Sequence, residues 1–284
     1  MMQDSPDTTA STPIKHPIAI CADDFGIEPG VDEAIVELCQ QGRLSATSCL
    51  TMAPYFADHA VMLKPLAVDI GLHVNFTESL GSQGLFLPLP KLIANAYLRQ
   101  LSRSQVRSQI ELQLDAFEQY LGRAPDFVDG HLHVHQLPVI REALIQVLSE
   151  RYPDNLPWLR NTQPGKLSNG LPWIQRFKAH VIGALGARAL SRTALQIGSR
   201  INRDFFGAYD FSRAHPPYAA MLDAWLQQAS YGSLIMAHPA KYVSEQDAFG
   251  RDRIEEYRVL GSEVFAALLE QHGLEILRLS GLRF

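Results

Sequence analysis

Short apolar runs alternate with stretches of helical periodicity along most of this chain, and several of the runs end on residues able to bind a metal or move a proton. "PIAICADD" closes on Asp23 and Asp24, "AVDIGLHVNF" carries His73, "DFVDGHLHVH" carries His131, His133 and His135, and "GSLIMAHPA" contains His238. Strands alternating with helices predict an α/β fold with a mostly parallel sheet covered by helices, either a closed barrel or an open doubly wound sheet. In such folds the carboxyl ends of the strands gather at one face, where active sites form. Residues far apart in sequence are therefore expected to meet there.

The periodicity places the elements. "PIAICADD" reads as a buried strand ending near Asp23. Pro29 suits the first turn of a helix, and Val31, Ala34, Ile35 and Leu38 repeat at helical spacing up to a stop at Gly42. "SATSCLTM" and "AVDIGLHVNF" are the next strands. Val106, Ile110, Leu114, Phe117 and Leu121 form one stripe before Gly122, and Val139, Ile140, Leu144, Val147 and Leu148 form another. "GSLIMAHPA" and "LEILRLS" are late strands, with one helix between them over "RIEEYRVLGSEVFAALLEQ". Between about Asn155 and Pro217 the alternation breaks down: "NTQPGKLSNGLPW" reads as a loop and Trp173 to Leu195 as helical and basic. With no linker and no internal repeat, residues 17–284 are expected to form one domain with an inserted helical and loop region at about 155–217. Residues 1–16 are expected to be a disordered tail.

Composition excludes some function classes. In 284 residues, 25 Lys and Arg face 30 Asp and Glu, a formal charge of -5 that offers no general attraction to nucleic acid or anionic membranes. No run approaches the ~20 apolar residues of a membrane span. Cys21, Cys39 and Cys49 lie inside apolar patterns without metal-ligand spacing and read as small buried thiols. These features, with a polar start that lacks the apolar core of a secretory signal, make a reducing, cytoplasmic location the expectation.

The polar groups at the strand ends suggest chemistry. If "HLHVH" continues as an extended strand, His131, His133 and His135 share one face while Leu132 and Val134 take the other. A lone histidine at a strand end is more often structural than catalytic, but structural histidines have no reason to favour the same end of successive strands. His16, His59, His180, His215 and His272 lack that context and are read as surface or structural residues. A carboxylate with two imidazoles suits a divalent metal and leaves open positions for water and substrate. Asp23 and Asp24 then have a reason to be adjacent, one binding the metal and the other accepting a proton from water. In "INRDFFGAYDF", Phe205, Phe206, Tyr209 and Phe211 crowd around Arg203 and Asp204. That run is either a substrate subsite, with Tyr209 and Arg203 against the bound molecule, or a plug that seats the inserted helices.

"ADDFG", "GLH", "DGHLHVH" and "AHPA", in this order, resemble the YdjC-like carbohydrate deacetylases, the group that includes chitooligosaccharide deacetylase and the hopanoid-associated deacetylase. The resemblance runs from Pro17 to the end and is weakest at about 155–217. It implies a distorted TIM-like (β/α) barrel, a homodimer, one divalent metal ion, zinc or magnesium, and hydrolysis of an N-acetyl group from an amino sugar or oligosaccharide with release of acetate. Carried onto this chain, it implies Asp24, His73 and His131 as metal ligands, Asp23 as general base and His238 as general acid. Two imidazoles favour zinc or another transition ion over magnesium. The competing readings are another metal-dependent amidohydrolase or phosphoesterase, and a catalytically silent metal- or sugar-binding protein. The first usually carries its His-x-His pair after the first strand, and the second has no need of Asp23.

Overall fold

The computed structural model describes residues 15–166, 171–211, 215–245, 247 and 249–282. Its centre is a parallel sheet with strands β1 (His16–Phe25), β2 (Ala46–Cys49), β3 (Asp69–Val74), β4 (Phe127–Gly130), β5 (Trp158–Leu159), β6 (Phe205–Phe206), β7 (Leu234–Ala237) and β8 (Leu274–Ile276). The strands lie in the order β5-β4-β3-β2-β1-β7-β6, with β8 paired to the start of β1. Isolated parallel bridges, Leu159 to Ile201 and Pro164 to Phe205, join the two ends and curl the sheet into a small, irregular barrel. Helices wrap the outside, as the alternation predicts.

Side chains alternate across β1, the central strand. Ile18, Ile20 and Ala22 pack outward in the large core beneath the helices. Ala19 and Cys21 face the barrel interior, together with Ala46, Phe127, Trp158, Phe205, Leu234 and Met236. The interior is narrow and is filled unevenly: Phe127 and Trp158 stack at 4.2 Å between ring centroids, and small residues make room for them. Gly71 on β3 lies beside Phe127 on β4, and a methyl group on Gly71 would come within 2.4 Å of that ring.

The outer helices follow the predicted stripes. Pro29–Gln40 begins with its proline in the first turn. Arg103–Leu121 is capped by Ser102, whose side chain accepts the Gln105 N–H, and ends on Gly122 in the left-handed region. Val106, Ile110, Leu114 and Phe117 are fully buried.

Four expectations need correction. His16, placed in the tail, is the first residue of β1; residues 1–14 lie outside the described residues. The last helix is two, Gly250–Leu260 and Glu263–Gln271, because Ser262 caps a new helix start after Gly261. The span at about 155–217 is not wholly an insertion: it supplies β5 and β6, too short to read from a periodicity, and carries the helices Trp173–Ala184 and Ala187–Gln196 between them. Finally, "HLHVH" is not a strand. β4 stops at Gly130, and His131–Gln136 winds into tight turns in which Leu132 (φ 51°) and His133 (φ 60°) are left-handed.

The packing of the barrel interior gives a direct test. Gly71→Ala should lower the unfolding free energy by about 1–3 kcal/mol through overpacking, and Phe127→Leu should relieve part of that loss in the double mutant. Urea unfolding followed by circular dichroism checks it; an unchanged midpoint for Gly71→Ala would contradict the packing described.

Candidate functional site at the carboxyl face of the barrel

Asp23 and Asp24 adjoin in sequence, and on a regular strand they would point to opposite faces. A bulge prevents this. Ala22 pairs with Thr47 and Phe25 with Cys49, so two residues of β1 oppose Ser48 alone on β2. Asp24 takes up the extra residue with φ 71°, a left-handed conformation that Asp tolerates better than most residues but that still costs about 1–3 kcal/mol. Both carboxylates thereby reach the barrel mouth, each with its own partners.

Asp23 continues the inward row of Ala19 and Cys21. Arg160, one residue past β5, donates from Nη1 to Asp23 Oδ2 at 2.6 Å and from Nη2 to Asp23 Oδ1 at 2.6 Å. Arg160 Nη2 also lies 2.6 Å from Asp129 Oδ2 and 2.9 Å from Cys21 Sγ. The guanidinium is fully buried. Burial works to raise the Asp23 carboxyl, but the charge and hydrogen bonds of Arg160 outweigh it and hold Asp23 well below the usual carboxylate range. Cys21, Asp23 and Asp129 place three donor atoms close together, but the guanidinium already supplies their cation.

The second cluster is different. Asp24, His73 and His131 bring one ligand atom each to within 4.8 Å of one another. Asp24 Oδ1 is 3.1 Å from His131 Nδ1 and 3.6 Å from His73 Nε2. The other Asp24 oxygen accepts a hydrogen bond from Arg253 Nη2 at 2.9 Å. His73 donates from Nδ1 to Asp129 Oδ1 at 2.7 Å, which turns its Nε2 toward Asp24. Ser48 joins the two clusters, donating to Asp23 Oδ1 at 3.1 Å with its oxygen 3.0 Å from His73 Nδ1. Two imidazoles and one carboxylate, with one imidazole held by a second carboxylate, fit a divalent transition metal. Burial works to lower the His131 imidazole, but hydrogen bonds to Asp24 and Glu78 push it up to about 10.

His238 follows β7 at the same face. Its backbone N–H donates to Glu256 Oε2 at 2.5 Å, and its ring meets Phe211 edge-on. Nδ1 is buried with no hydrogen-bond partner. Burial, only partly countered by Asp24 and Asp23, lowers this imidazole to about 4 and leaves it neutral. Burial likewise pushes Glu256 up to about 7, despite the hydrogen bonds it accepts from the His238 N–H and the Tyr209 hydroxyl.

The other candidates separate. His135 donates from Nε2 to the Arg160 carbonyl at 2.9 Å and so supports Arg160, while His133 packs edge-on against Phe205. Only His131 of the three reaches the Asp24 cluster, because the turn after Gly130 sends each imidazole a different way. Tyr209 is 2 % exposed, its hydroxyl donates to Glu256 Oε1 at 2.7 Å, and its ring packs among Phe211, His215, Tyr218 and Trp225. Arg203 receives no support as a substrate contact, since its N–H donates to Gly232 O, level with the start of β1 and at the opposite end of the barrel. The rings around Tyr209 pack on one another, and its hydroxyl ties them to the Glu256 carboxylate that holds the His238 N–H.

Sequence reading missed Arg160, Asp129, Ser48, Arg253, Glu256 and Glu78. Asp129 had a signal, an acidic residue on the penultimate position of a strand just before a histidine, and register places it directly beside His73. The others had none: Ser48 is a single hydroxyl on β2, and Arg160, Arg253, Glu256 and Glu78 are single polar residues on loops and helices.

The chain is 29% identical to the human carbohydrate deacetylase over 304 residues, covering 93% of this chain and 90% of the human protein. A chitooligosaccharide deacetylase of Citrobacter koseri is 23% identical over 269 residues, 91% of this chain and 96% of the relative. Among solved structures, an Enterococcus faecalis V583 protein described as a cellobiose-phosphate cleavage protein shares the fold, with a TM-score of 0.67 at 20% identity, over 93% of this chain and 97% of that one. The family model described as YdjC-like protein matches residues 17–271, and with nearly the whole barrel inside that match the chain belongs to the YdjC-like protein family.

Proposed function

We propose that the chain is a metal-dependent carbohydrate N-deacetylase that hydrolyses the acetamide of an N-acetylated amino sugar or oligosaccharide and releases acetate. The observation that carries this reading is the meeting of Asp24, His73 and His131 within 4.8 Å at the barrel mouth, beside an ionised carboxylate, Asp23, and a neutral imidazole, His238. The names of the relatives supply the sugar. A divalent ion held by Asp24, His73 and His131 would polarise the acetamide carbonyl and acidify water. The donor set favours zinc or another transition ion over magnesium.

The chain's own residues do the rest. Asp23 is proton-free and is the candidate acceptor of the water proton. Arg160 and Ser48 fix its orientation at the cost of some basicity. His238 is neutral at rest and presents a buried nitrogen without a protein partner. In this reading it takes up a proton from solvent and passes it to the departing sugar amine, while the water proton held by Asp23 returns to solvent as acetate leaves. Arg253 occupies one oxygen of Asp24 and leaves the other for the metal. Among the described residues no helix is long and apolar enough to cross a membrane.

Acetate release from a panel of N-acetylated glycans by zinc-reconstituted protein tests the reading; a panel with no acetate above the metal-free control would defeat it. His131→Ala should lose most of the metal, and equal stoichiometric metal in wild type and variant would remove His131 from the centre.

The aspartates should separate. Asp23→Asn should keep metal and lose ~10²–10⁴-fold in turnover, the range for loss of a general base, whereas Asp24→Asn should weaken metal binding. Reversed metal contents would swap the roles.

A pH effect follows from His131. Its raised pKa means that the metal must displace a proton at every pH below about 10, so affinity rises with pH. Between pH 6 and 8 the dissociation constant should fall about tenfold per pH unit for one displaced proton. Calorimetric titration in two buffers measures this, and a flat profile would contradict it.

A further inference from the structure

His73 has Asp129 behind it, and His131 has a comparable partner. With Nδ1 facing Asp24 at 3.1 Å, its Nε2 lies 3.3 Å from Glu78 Oε1. Glu78 is not on a barrel strand. It sits in the turn after β3, and a buried amide network builds that turn. Asn75 Oδ1 accepts the backbone N–H groups of Thr77 at 3.0 Å and Glu78 at 3.1 Å, while Asn75 Nδ2 donates to the Glu78 carbonyl at 2.6 Å. Gln113, reaching in from the helix Arg103–Leu121, accepts the Asn75 N–H at 2.7 Å and donates to its carbonyl at 3.2 Å. Asn75 and Gln113 are 3 % and 1 % exposed, so the network is shielded from water and holds a single geometry.

We propose that Glu78 is a positioning residue for the metal centre: it accepts the Nε2–H of His131 and thereby fixes Nδ1 as the atom this imidazole offers to a cation. The proposal rests on the metal-centre reading above but not on the sugar chemistry. A histidine with both nitrogens free can bind through either after a ring flip, and a carboxylate on one nitrogen selects the other. The Asn75–Gln113 network keeps the carboxylate in place, so one strand end supplies both a ligand, His73, and the partner of the next ligand, Glu78. The side chain of Glu78 remains half exposed at the mouth, which makes it the part of this centre most open to solvent.

The test uses the zinc-loaded full chain and nitrogen-15 NMR of the histidine rings. Wild type should show His131 protonated at Nε2 and zinc-bound through Nδ1. Glu78→Ala should weaken zinc binding about 10–100-fold, the usual loss when an outer partner of a metal ligand is removed, and should leave His131 exchanging between its two ring orientations. Glu78→Gln keeps an acceptor oxygen and should stay within a few-fold of wild type. Circular dichroism of the metal-free variants separates these effects from misfolding, and a purely structural turn residue would change melting without changing the ring signature. Zinc on Nε2 in wild type would overturn the proposal, as would wild-type affinity in Glu78→Ala. An equal loss in Glu78→Gln and Glu78→Ala would also overturn it, by making Glu78 a ligand. Failure of every sugar to release acetate would end the deacetylase reading while leaving this coordination intact; failure to bind zinc at all would end both.

Discussion

The buried guanidinium of Arg160 is the interaction on which the barrel mouth depends. From the end of β5 it reaches Cys21 and Asp23 on β1 and Asp129 on β4, so three strands are tied through one fully buried cation. Asp129 uses its other oxygen to hold His73, and Ser48 links His73 back to Asp23. Two carboxylates this deeply buried would be very costly without the cation. With it, Asp23 is held well below the usual carboxylate range and, in the proposed chemistry, accepts a proton, while Asp129 orients an imidazole.

Backbone deformation does what side chains alone cannot. The bulge at Asp23 and Asp24 turns two neighbouring carboxylates to the same mouth, one toward Arg160 and one toward His73 and His131. The left-handed pair Leu132 and His133 does the same for "HLHVH", sending His131 to one cluster and His135 to the carbonyl of Arg160. Strain of this kind gathers where geometry is over-determined by its surroundings. The two deformations lie on β1 and after β4, and Asp24 and His131 meet across them at 3.1 Å.

The longer elements were legible because their signals are periodic: Arg103–Leu121 and Ile140–Arg151 fall on their stripes, and the strand ends at Asp23, His73 and His238 lie at one face. The short elements were not. β5 and β6 have two residues each, and no periodicity fits in two residues. "HLHVH" alternates like a strand, but Gly130 is packed against His135 and the chain turns there instead, a tertiary constraint that alternation cannot carry. That Asp23, Asp24, His73, His131 and His238 would meet was readable, since strand ends converge in parallel folds, whereas the choice of Asp24, His73 and His131 as a donor set came from the resemblance. Arg160, Arg253 and Glu256 were not readable, because each acts through partners 100 or more residues away or on a different layer of the fold. The aromatic crowd around Tyr209 illustrates the limit from the other side: composition alone does not show that Tyr209 is buried and hydrogen-bonded to Glu256.

The central claim is that two adjacent clusters divide the work, with a guanidinium as the cation for Cys21, Asp23 and Asp129 and a metal as the cation for Asp24, His73 and His131. A crystal of the zinc-soaked protein, with anomalous differences collected at the zinc edge, tests this most directly. The account predicts one strong peak per chain within coordination distance of Asp24, His73 and His131, with Arg160 still on Asp23 and Asp129. A peak among Cys21, Asp23 and Asp129 with Arg160 displaced would contradict it.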